Sequence, residues 1–188
     1  MQYIEIMNMK KLLASAVLAI MMLAGCTEKN EMKVLVSYFS ATGNTAAAAQ
    51  ALAEVMGADL HEIVPAAIYT EADLDWRDTL SRSTFEMKDP AARPALAEPT
   101  TDVSGYDVIF VGFPIWWYTA PRIINSYLES GDFSGKTVIA FATSGSSPID
   151  KACADLAEQY PSIVWKDGKR MNDITAEELA AWKEELGL

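Results

Sequence analysis

The chain has 188 residues, with 15 basic and 26 acidic side chains and a formal net charge of −11. A surface this acidic would repel nucleic-acid phosphates, so we expect no DNA or RNA partner. The chain has two cysteines and one histidine, which excludes a disulfide framework and a zinc site built from these residue types.

The first predicted element is a secretory signal. Lys10 and Lys11 precede an apolar run over residues 12–23, which is short for a membrane span and is followed by small residues. The alternative is an uncleaved anchor helix. Either Met1 or Met9 can be the start of this signal. The predicted organisation is a signal over residues 1–25, a tether over 26–32 and one domain over 33–188.

Downstream of the tether, the predicted strands and helices alternate. The strongest strand signal is Val108 to Phe113, which is apolar throughout, as a strand covered on both faces should be. Alanine content predicts a helix that Gly57 ends, and Thr175 with Glu178 predicts a capping box for the last helix. The predicted strands are 33–39, 60–64, 108–113, 137–142 and 163–165, and the predicted helices are 45–56, 121–129, 147–159 and 175–186.

Strands separated by helices predict parallel βαβ units. The expected fold class is α/β, a doubly wound sandwich whose five-stranded parallel sheet has the order 2-1-3-4-5 and carries helices on both faces. Asp167-Gly168 is expected to extend the fifth strand into a hairpin. Residues 65–105 contain four prolines and the crossover to the third strand. Within them, Thr70 to Asp73 is expected to cap a helix toward Met87.

The one histidine and the second cysteine, residue types that often act in catalysis, are predicted to have structural roles. His61 is predicted in or near a strand end, so a serine–histidine hydrolase would have to depend on this one residue. Cys153 is predicted to be a small buried residue of the core.

In an open parallel sheet, ligands bind beyond the carboxyl ends of the strands, near the switch point between the first and third strands. The loop after the first strand opens a helix whose first backbone N–H groups lack partners. An ordinary helix cap needs one polar residue, whereas several small polar residues surround a glycine here. The sequence therefore predicts a phosphate site made of neutral donors. Its residues are Ser40, Thr42, Gly43, Asn44 and Thr45.

The loop after the third strand carries three adjacent aromatic residues, Trp116, Trp117 and Tyr118, which follow Pro114 and Ile115. Because neighbouring side chains of an extended chain point to opposite sides, Trp116 and Trp117 cannot both enter the core. We predict that one packs inward and that the other faces the crevice, where a flat ligand could stack on it.

The loop after the fourth strand is small and polar, so little side chain would obstruct the edge of a ligand. Its backbone N–H groups could bond ring carbonyls, and Ser147 is expected to cap the next helix. The candidate ligand residues of this loop are Thr143, Ser144, Gly145 and Ser146.

These three loops give the chain a resemblance to the flavodoxin-like family, over about residues 33–188. Residues 40–45, SATGNT, resemble the family's phosphate loop for flavin mononucleotide (FMN). Residues 112–117, GFPIWW, are similar to the loop that stacks an aromatic ring on the isoalloxazine. Residues 143–145 are similar to the loop that borders the other side of that ring. The resemblance implies FMN as the cofactor, bound by the residues of the three loops.

One residue departs from this pattern. Many relatives have glycine after the aromatic pair, where a peptide flip near the flavin N5 can stabilise the semiquinone. This chain has Tyr118 there, and a tyrosine resists a positive φ. The departure predicts poor one-electron stabilisation and leaves two-electron chemistry open.

The resemblance implies that the protein takes part in redox reactions, but it does not distinguish an electron carrier from an enzyme. An electron-transfer protein would need a redox protein partner and no substrate pocket. An FMN-dependent NAD(P)H or quinone reductase would pass electrons to a small-molecule acceptor and would need room above the ring, which residues 65–90 could form. The alternative of another class is a cofactor-free surface binding module.

Residues 23–26, Leu-Ala-Gly-Cys, resemble the lipobox of bacterial lipoproteins. In that family the cysteine is lipidated and becomes the mature N-terminus. The resemblance implies a bacterial lipoprotein outside the cytoplasm, held to the membrane by lipid on Cys26, and it leaves Cys153 without an intramolecular partner.

Overall fold

The computed structural model describes residues 32–98 and 102–188, and the structural statements below concern these residues. The predicted signal and Cys26 lie outside them. The strands are β1 (Val34–Tyr38), β2 (Asp59–Glu62), β3 (Val108–Pro114), β4 (Thr137–Thr143) and β5 (Val164–Arg170). The helices are α1 (Asn44–Met56), α2 (Arg82–Lys88), α3 (Arg122–Glu129), α4 (Asp150–Gln159) and α5 (Ala176–Leu186), with a 3₁₀ turn at Ala72–Leu74.

The five strands form one parallel sheet in the order β2-β1-β3-β4-β5, which confirms the predicted topology. The switch point lies between β1 and β3, because the chain leaves β1 toward β2 on one side and returns to β3 on the other. Loops that follow β1, β3 and β4 therefore meet at one edge of the sheet, as ligand-binding loops do in this class of fold.

Successive side chains of each strand point to opposite faces of the sheet, so a hydrophobic core forms on each face. On one face, Val36 and Phe110 pack with Leu52 of α1 and Trp182 of α5. On the other, alternate residues of the same strands pack against α3 and α4. The innermost strands are buried on both faces, which is why β3 is continuously apolar and β1 is apolar except for Ser37, whose hydroxyl shares a hydrogen bond with Tyr127.

Helix ends follow the predicted signals. Gly57 ends α1 in the left-handed conformation (φ 67°), and its N–H bonds the last turn. Thr175 and Glu178 make both hydrogen bonds of the predicted capping box at the start of α5. By contrast, Ser147 does not cap α4, because the residue that precedes that helix is Ile149.

Two predictions about irregular segments are wrong. Asp167 and Gly168 lie inside β5, so no hairpin forms there. β5 pairs with β4 in parallel, and the register between the two strands shifts between Ile139 and Phe141 of β4. Gly168 approaches the Ala140 carbonyl so closely that a Cβ would overlap it. The stretch after Thr70 is not one helix toward Met87; a 3₁₀ turn and the short α2 are separated by turns.

Of the two residues predicted to have structural roles, His61 lies where the sequence put it, whereas Cys153, predicted to be buried, is only partly buried. His61 is in β2 and stacks on the Tyr127 ring, with ring centres 5.8 Å apart; burial lowers its pKa. Cys153 packs against the core, and burial raises the pKa of its thiol. Among the described residues, no helix combines the length and apolar content that a membrane span requires.

Candidate functional site

The loop after β1 presents an uncapped helix end. Gly43 precedes α1 with φ 89°, and no side chain caps the N–H groups of the first turn. Ser40 accepts a hydrogen bond from the Gly43 N–H at 3.1 Å, which closes the loop on itself. A Cβ added at Gly43 would meet nothing within 4 Å, so the space beside the glycine is open. An anion there would meet free backbone donors and the positive end of the helix dipole.

The polar side chains of this loop divide into two groups. Thr42 and Asn44 are exposed, with the Asn44 amide donating to the Thr42 hydroxyl at 3.4 Å. Thr45 is buried, and its hydroxyl lies 2.8 Å from the hydroxyl of Thr143 at the end of β4. Thr42 and Asn44 are therefore free to face a ligand, whereas Thr45 joins the first loop to the third.

The loop after β3 turns sharply at its aromatic residues. The backbones of Trp116 and Thr119 exchange two hydrogen bonds of 3.0 Å. Between them, Trp117 and Tyr118 have φ of 46° and 66°, as a two-residue turn of this hand requires. Tyr118 thus adopts the positive φ that the sequence predicted it to resist, because the paired backbones of Trp116 and Thr119 hold the turn in this conformation.

The two tryptophans point in different directions, as predicted. Trp116 is half-buried and packs edge-on against Phe39 and Tyr69, with ring centres 5.7 Å and 5.3 Å away. Trp117 and Tyr118 are 41% and 63% exposed. Pro114 ends β3, and the Ile115 N–H donates to the Thr143 carbonyl at 2.9 Å, which ties the aromatic loop to the third loop.

The loop after β4 is held by a residue that the sequence did not reveal. Asn172, just beyond β5, accepts from the Ser144 N–H at 2.9 Å and donates to the Ser144 carbonyl at 2.7 Å. The Ser144 hydroxyl donates to the Ser147 carbonyl. The Ser144 N–H is thus already engaged, and Gly145 and Ser146 are the exposed residues of the loop.

A cluster of polar and aromatic side chains, which the sequence did not reveal, packs against Trp116 through Tyr69. Tyr69 donates to the Glu86 carboxylate at 2.5 Å, and Arg82 bonds the same carboxylate at 2.7 Å. The Arg82 guanidinium also lies over the Tyr69 ring, 3.9 Å from its centre. Burial and the bond to Glu86 raise the pKa of Tyr69, so the phenol stays protonated and the bond is kept. The cluster fixes the residues after β2 against the aromatic loop.

Two open cavities adjoin these loops, and both are bordered by Leu74 and Trp76. A cavity of about 930 Å³ lies beside Ala41 and Thr42 of the first loop and extends along residues 69–77. A cavity of about 400 Å³ lies between residues 115–118 and the segment that contains Trp76 and Ser83. Leu74, Trp76 and Ser83 thus lie beside the aromatic loop.

Comparison with known proteins places these features in a family. A family model described as Flavodoxin matches residues 33–186. A crystal structure of a candidate flavoprotein from Bacteroides uniformis is 52% identical, with a TM-score of 0.79 over 81% of this chain and 98% of the other. One from Bacteroides eggerthii is 47% identical, with a TM-score of 0.81 over 83% and 98%.

A more distant structure shares the fold. It is that of a flavoprotein from Lactobacillus acidophilus in complex with FMN, which is 20% identical, with a TM-score of 0.62 over 81% of this chain and 99% of the other. A comparison with curated proteins found no match.

Proposed function

The chain belongs to the flavodoxin family, whose model matches residues 33–186, and on this premise we propose that it binds FMN and acts in electron transfer or oxidoreduction. Bound FMN would supply the redox chemistry, while the chain binds, orients and shields it. The observation that carries the proposal is the uncapped start of α1 behind Gly43, next to the aromatic loop.

The first loop suits a doubly negative phosphate. Free N–H groups of the first helical turn and the exposed side chains of Thr42 and Asn44 offer donors without a cation. Gly43 has no side chain to keep the phosphate away. Ser40 is engaged with the Gly43 N–H and Thr45 with Thr143, so these two hydroxyls shape the site.

The second and third loops suit a flat ring. Trp117 offers an exposed indole for stacking, with Tyr118 beside it. Gly145 and Ser146 offer backbone donors with little side chain in the way. Because the Ile115 N–H and the Thr45 hydroxyl both bond Thr143, the three loops hold a fixed spacing for phosphate and ring.

FMN titration tests the proposal. The purified protein is expected to develop a structured flavin spectrum and to lose tryptophan emission as FMN is added. Thr42→Glu should weaken FMN binding by about 10-fold through repulsion of the phosphate, and Thr42→Gln is the neutral control of similar size. Riboflavin, which lacks the phosphate, should bind both variants equally. A protein that retains no flavin after unbound FMN has been removed, and whose tryptophan emission does not change on FMN addition, would refute the proposal and favour the cofactor-free module.

We further propose that the chain is a membrane-anchored lipoprotein outside the cytoplasm of a bacterium. The support is the basic start, the short apolar run and Cys26 after small residues. Replacement Cys26→Ser should move the protein from the membrane fraction to the soluble fraction. Retention of the variant in the membrane would contradict lipid attachment at this residue.

A reductase is the second candidate, because the 400 Å³ cavity adjoins the aromatic loop. Addition of NADH to the FMN-loaded protein separates the two functions. Bleaching of the flavin band at catalytic rates favours a reductase, whereas a coloured protein that NADH leaves unchanged favours a carrier that receives electrons from a redox protein.

A further inference from the structure

The tip of the aromatic loop adopts a conformation that needs support from outside the loop. Trp117 and Tyr118 have φ of 46° and 66°, a region that glycine and asparagine enter readily and bulky residues avoid. Such a conformation persists only where the surrounding structure holds it in place. The backbones of Trp116 and Thr119 close the turn, so the position of Trp116 decides the direction in which the two exposed rings point.

Two rings pack against the side chain of Trp116, and they differ in how they are fixed. Phe39 follows β1 directly, and its N–H donates to the Gly112 carbonyl of β3 at 2.9 Å, so the sheet fixes this ring. Tyr69 lies outside the strands and helices, in the segment after β2. Its ring centre is 5.3 Å from that of Trp116. The support of Trp116 on this side therefore depends on the side chains that hold Tyr69.

Two residues of α2 hold the Tyr69 ring at its hydroxyl and on its face. The hydroxyl donates to one carboxylate oxygen of Glu86 at 2.5 Å, and Arg82 bonds the other oxygen at 2.7 Å. Arg82 also lies 3.9 Å from the Tyr69 ring centre and donates to the Ala67 carbonyl at 2.7 Å. Tyr69 and Glu86 are 7% and 8% exposed. In such enclosed surroundings, a polar network whose members are paired favours one arrangement of its side chains.

We propose that Glu86 is a positioning residue of the candidate flavin site. Through Tyr69 and Trp116, its carboxylate keeps the turn in the conformation that presents both exposed aromatic rings to the crevice. Glu86 does this from α2, through other side chains. The inference rests on the proposed function for the identity of the ligand, whereas the hold on the turn is a property of the chain itself.

A second cluster of the same composition provides a matched control. Tyr160 donates to Glu129 at 2.7 Å, and Arg93 bonds both oxygens of that carboxylate at 2.7 and 2.8 Å. Glu129 is the last residue of α3, and Tyr160 directly follows α4. Because the helices of a doubly wound fold run antiparallel to its strands, these helix ends lie at the edge of the sheet opposite the candidate site. Loss of this cluster should therefore affect stability without affecting the turn.

FMN affinity, measured by fluorescence titration, tests the role of Glu86. Glu86→Met has a similar volume but accepts no hydrogen bond from Tyr69, so it should weaken FMN binding about 3- to 10-fold. Glu86→Gln keeps an oxygen that accepts from Tyr69 and should bind within about 2-fold of wild type. Tyr69→Phe keeps the ring and the ion pair of Arg82 with Glu86. It should weaken binding as Glu86→Met does, and it carries the test if Glu86→Met fails to fold. Glu129→Met should bind FMN like wild type.

A double-mutant comparison separates positioning from general support of the fold. Asparagine enters the positive-φ region readily, so the turn of Tyr118→Asn depends less on an outside hold. Tyr69→Phe should therefore weaken FMN binding by a smaller factor in the Tyr118→Asn background than in the wild type. Equal factors in the two backgrounds would show that the Tyr69 hydroxyl does not act through the turn, and the inference would fall.

Hydrogen exchange at the turn provides a measurement without FMN. In the FMN-free protein, the N–H groups of Trp116 and Thr119 should exchange faster in Tyr69→Phe than in wild type, and Glu129→Met should leave both rates unchanged. Unchanged exchange or unchanged FMN affinity in Tyr69→Phe, or an equal loss of affinity in Glu129→Met, would overturn the inference. Faster exchange in a protein that takes up no FMN would instead overturn the proposed function and leave the hold on the turn in place.

Discussion

At the scale of single residues, Gly112 shows how closely one strand approaches its neighbour. Gly112 lies in β3 between Tyr38 of β1 and Phe141 of β4. A Cβ built on Gly112 would overlap the Phe141 ring, which is fully buried between the sheet and its helices. Gly112 is therefore required for packing, two residues before the aromatic loop begins at Pro114.

Gly112→Ala should lower the free energy of unfolding by about 1–3 kcal/mol, because an added methyl group overpacks the core. Urea denaturation measures this loss. Adding Phe141→Leu should recover part of it, since the smaller side chain makes room. Gly105→Ala is the control, because a Cβ there meets nothing within 4 Å. Equal unfolding free energies for wild type and Gly112→Ala would refute the packing argument.

At the scale of elements, the last helix, α5, packs against α1, the helix that follows the phosphate loop. Lys183 of α5 donates to the carbonyls of Val55 and Met56 at the end of α1, at 2.9 Å and 3.2 Å. Trp182 packs edge-on against Phe110 of β3, with ring centres 5.5 Å apart. Anything that frays the start of α5 therefore loosens the support of α1.

Thr175→Ala removes the hydroxyl that accepts from the Glu178 N–H and should cost about 1 kcal/mol of stability. Thr175→Ser keeps the hydroxyl and should remain close to wild type. Urea unfolding followed by tryptophan emission reports the change. If alanine and serine were equivalent at this position, the capping box would contribute nothing measurable.

At the scale of the whole molecule, buried phenols set the alkaline limit of stability. Tyr127 lies in the core and shares a 2.7 Å hydrogen bond with Ser37 of β1. Burial raises the pKa of Tyr127 to about 12, against about 10 in an unfolded chain. Burial likewise raises the pKa of Tyr160 to about 12, although that side chain is less enclosed.

Stability should therefore be insensitive to Tyr127 below about pH 10 and should fall as the pH rises from about 10 to 12. In that window the unfolded chain has released the phenolic proton and the folded chain still holds it, so each such group costs about 1.4 kcal/mol per pH unit. Urea unfolding between pH 8 and 11.5 measures the slope. Tyr127→Phe, which has no phenol to titrate, should show a shallower slope, and an unchanged slope would contradict the assignment.

The sequence alone determined the fold and the three loops at the edge of the sheet. A short apolar run rich in β-branched and aromatic residues, such as Val108–Phe113, favours a strand covered on both faces, and the alternation of such strands with helices leaves few topologies. Gly57 and the Thr175 capping box set helix ends because a cap depends on residues within a few positions of each other. These are local signals, and the sequence displays them directly.

Only the tertiary structure showed which distant residues bond the three loops and which residues lie opposite them. Asn172 reaches Ser144 across 28 positions, and Trp76 and Ser83 meet the aromatic loop only because the segment after β2 folds back onto it. Tyr118 takes a positive φ against its own preference, since the paired backbones of Trp116 and Thr119 leave no other path. Such arrangements depend on partners that are distant in sequence and on strain that packing offsets, so no local pattern could predict them.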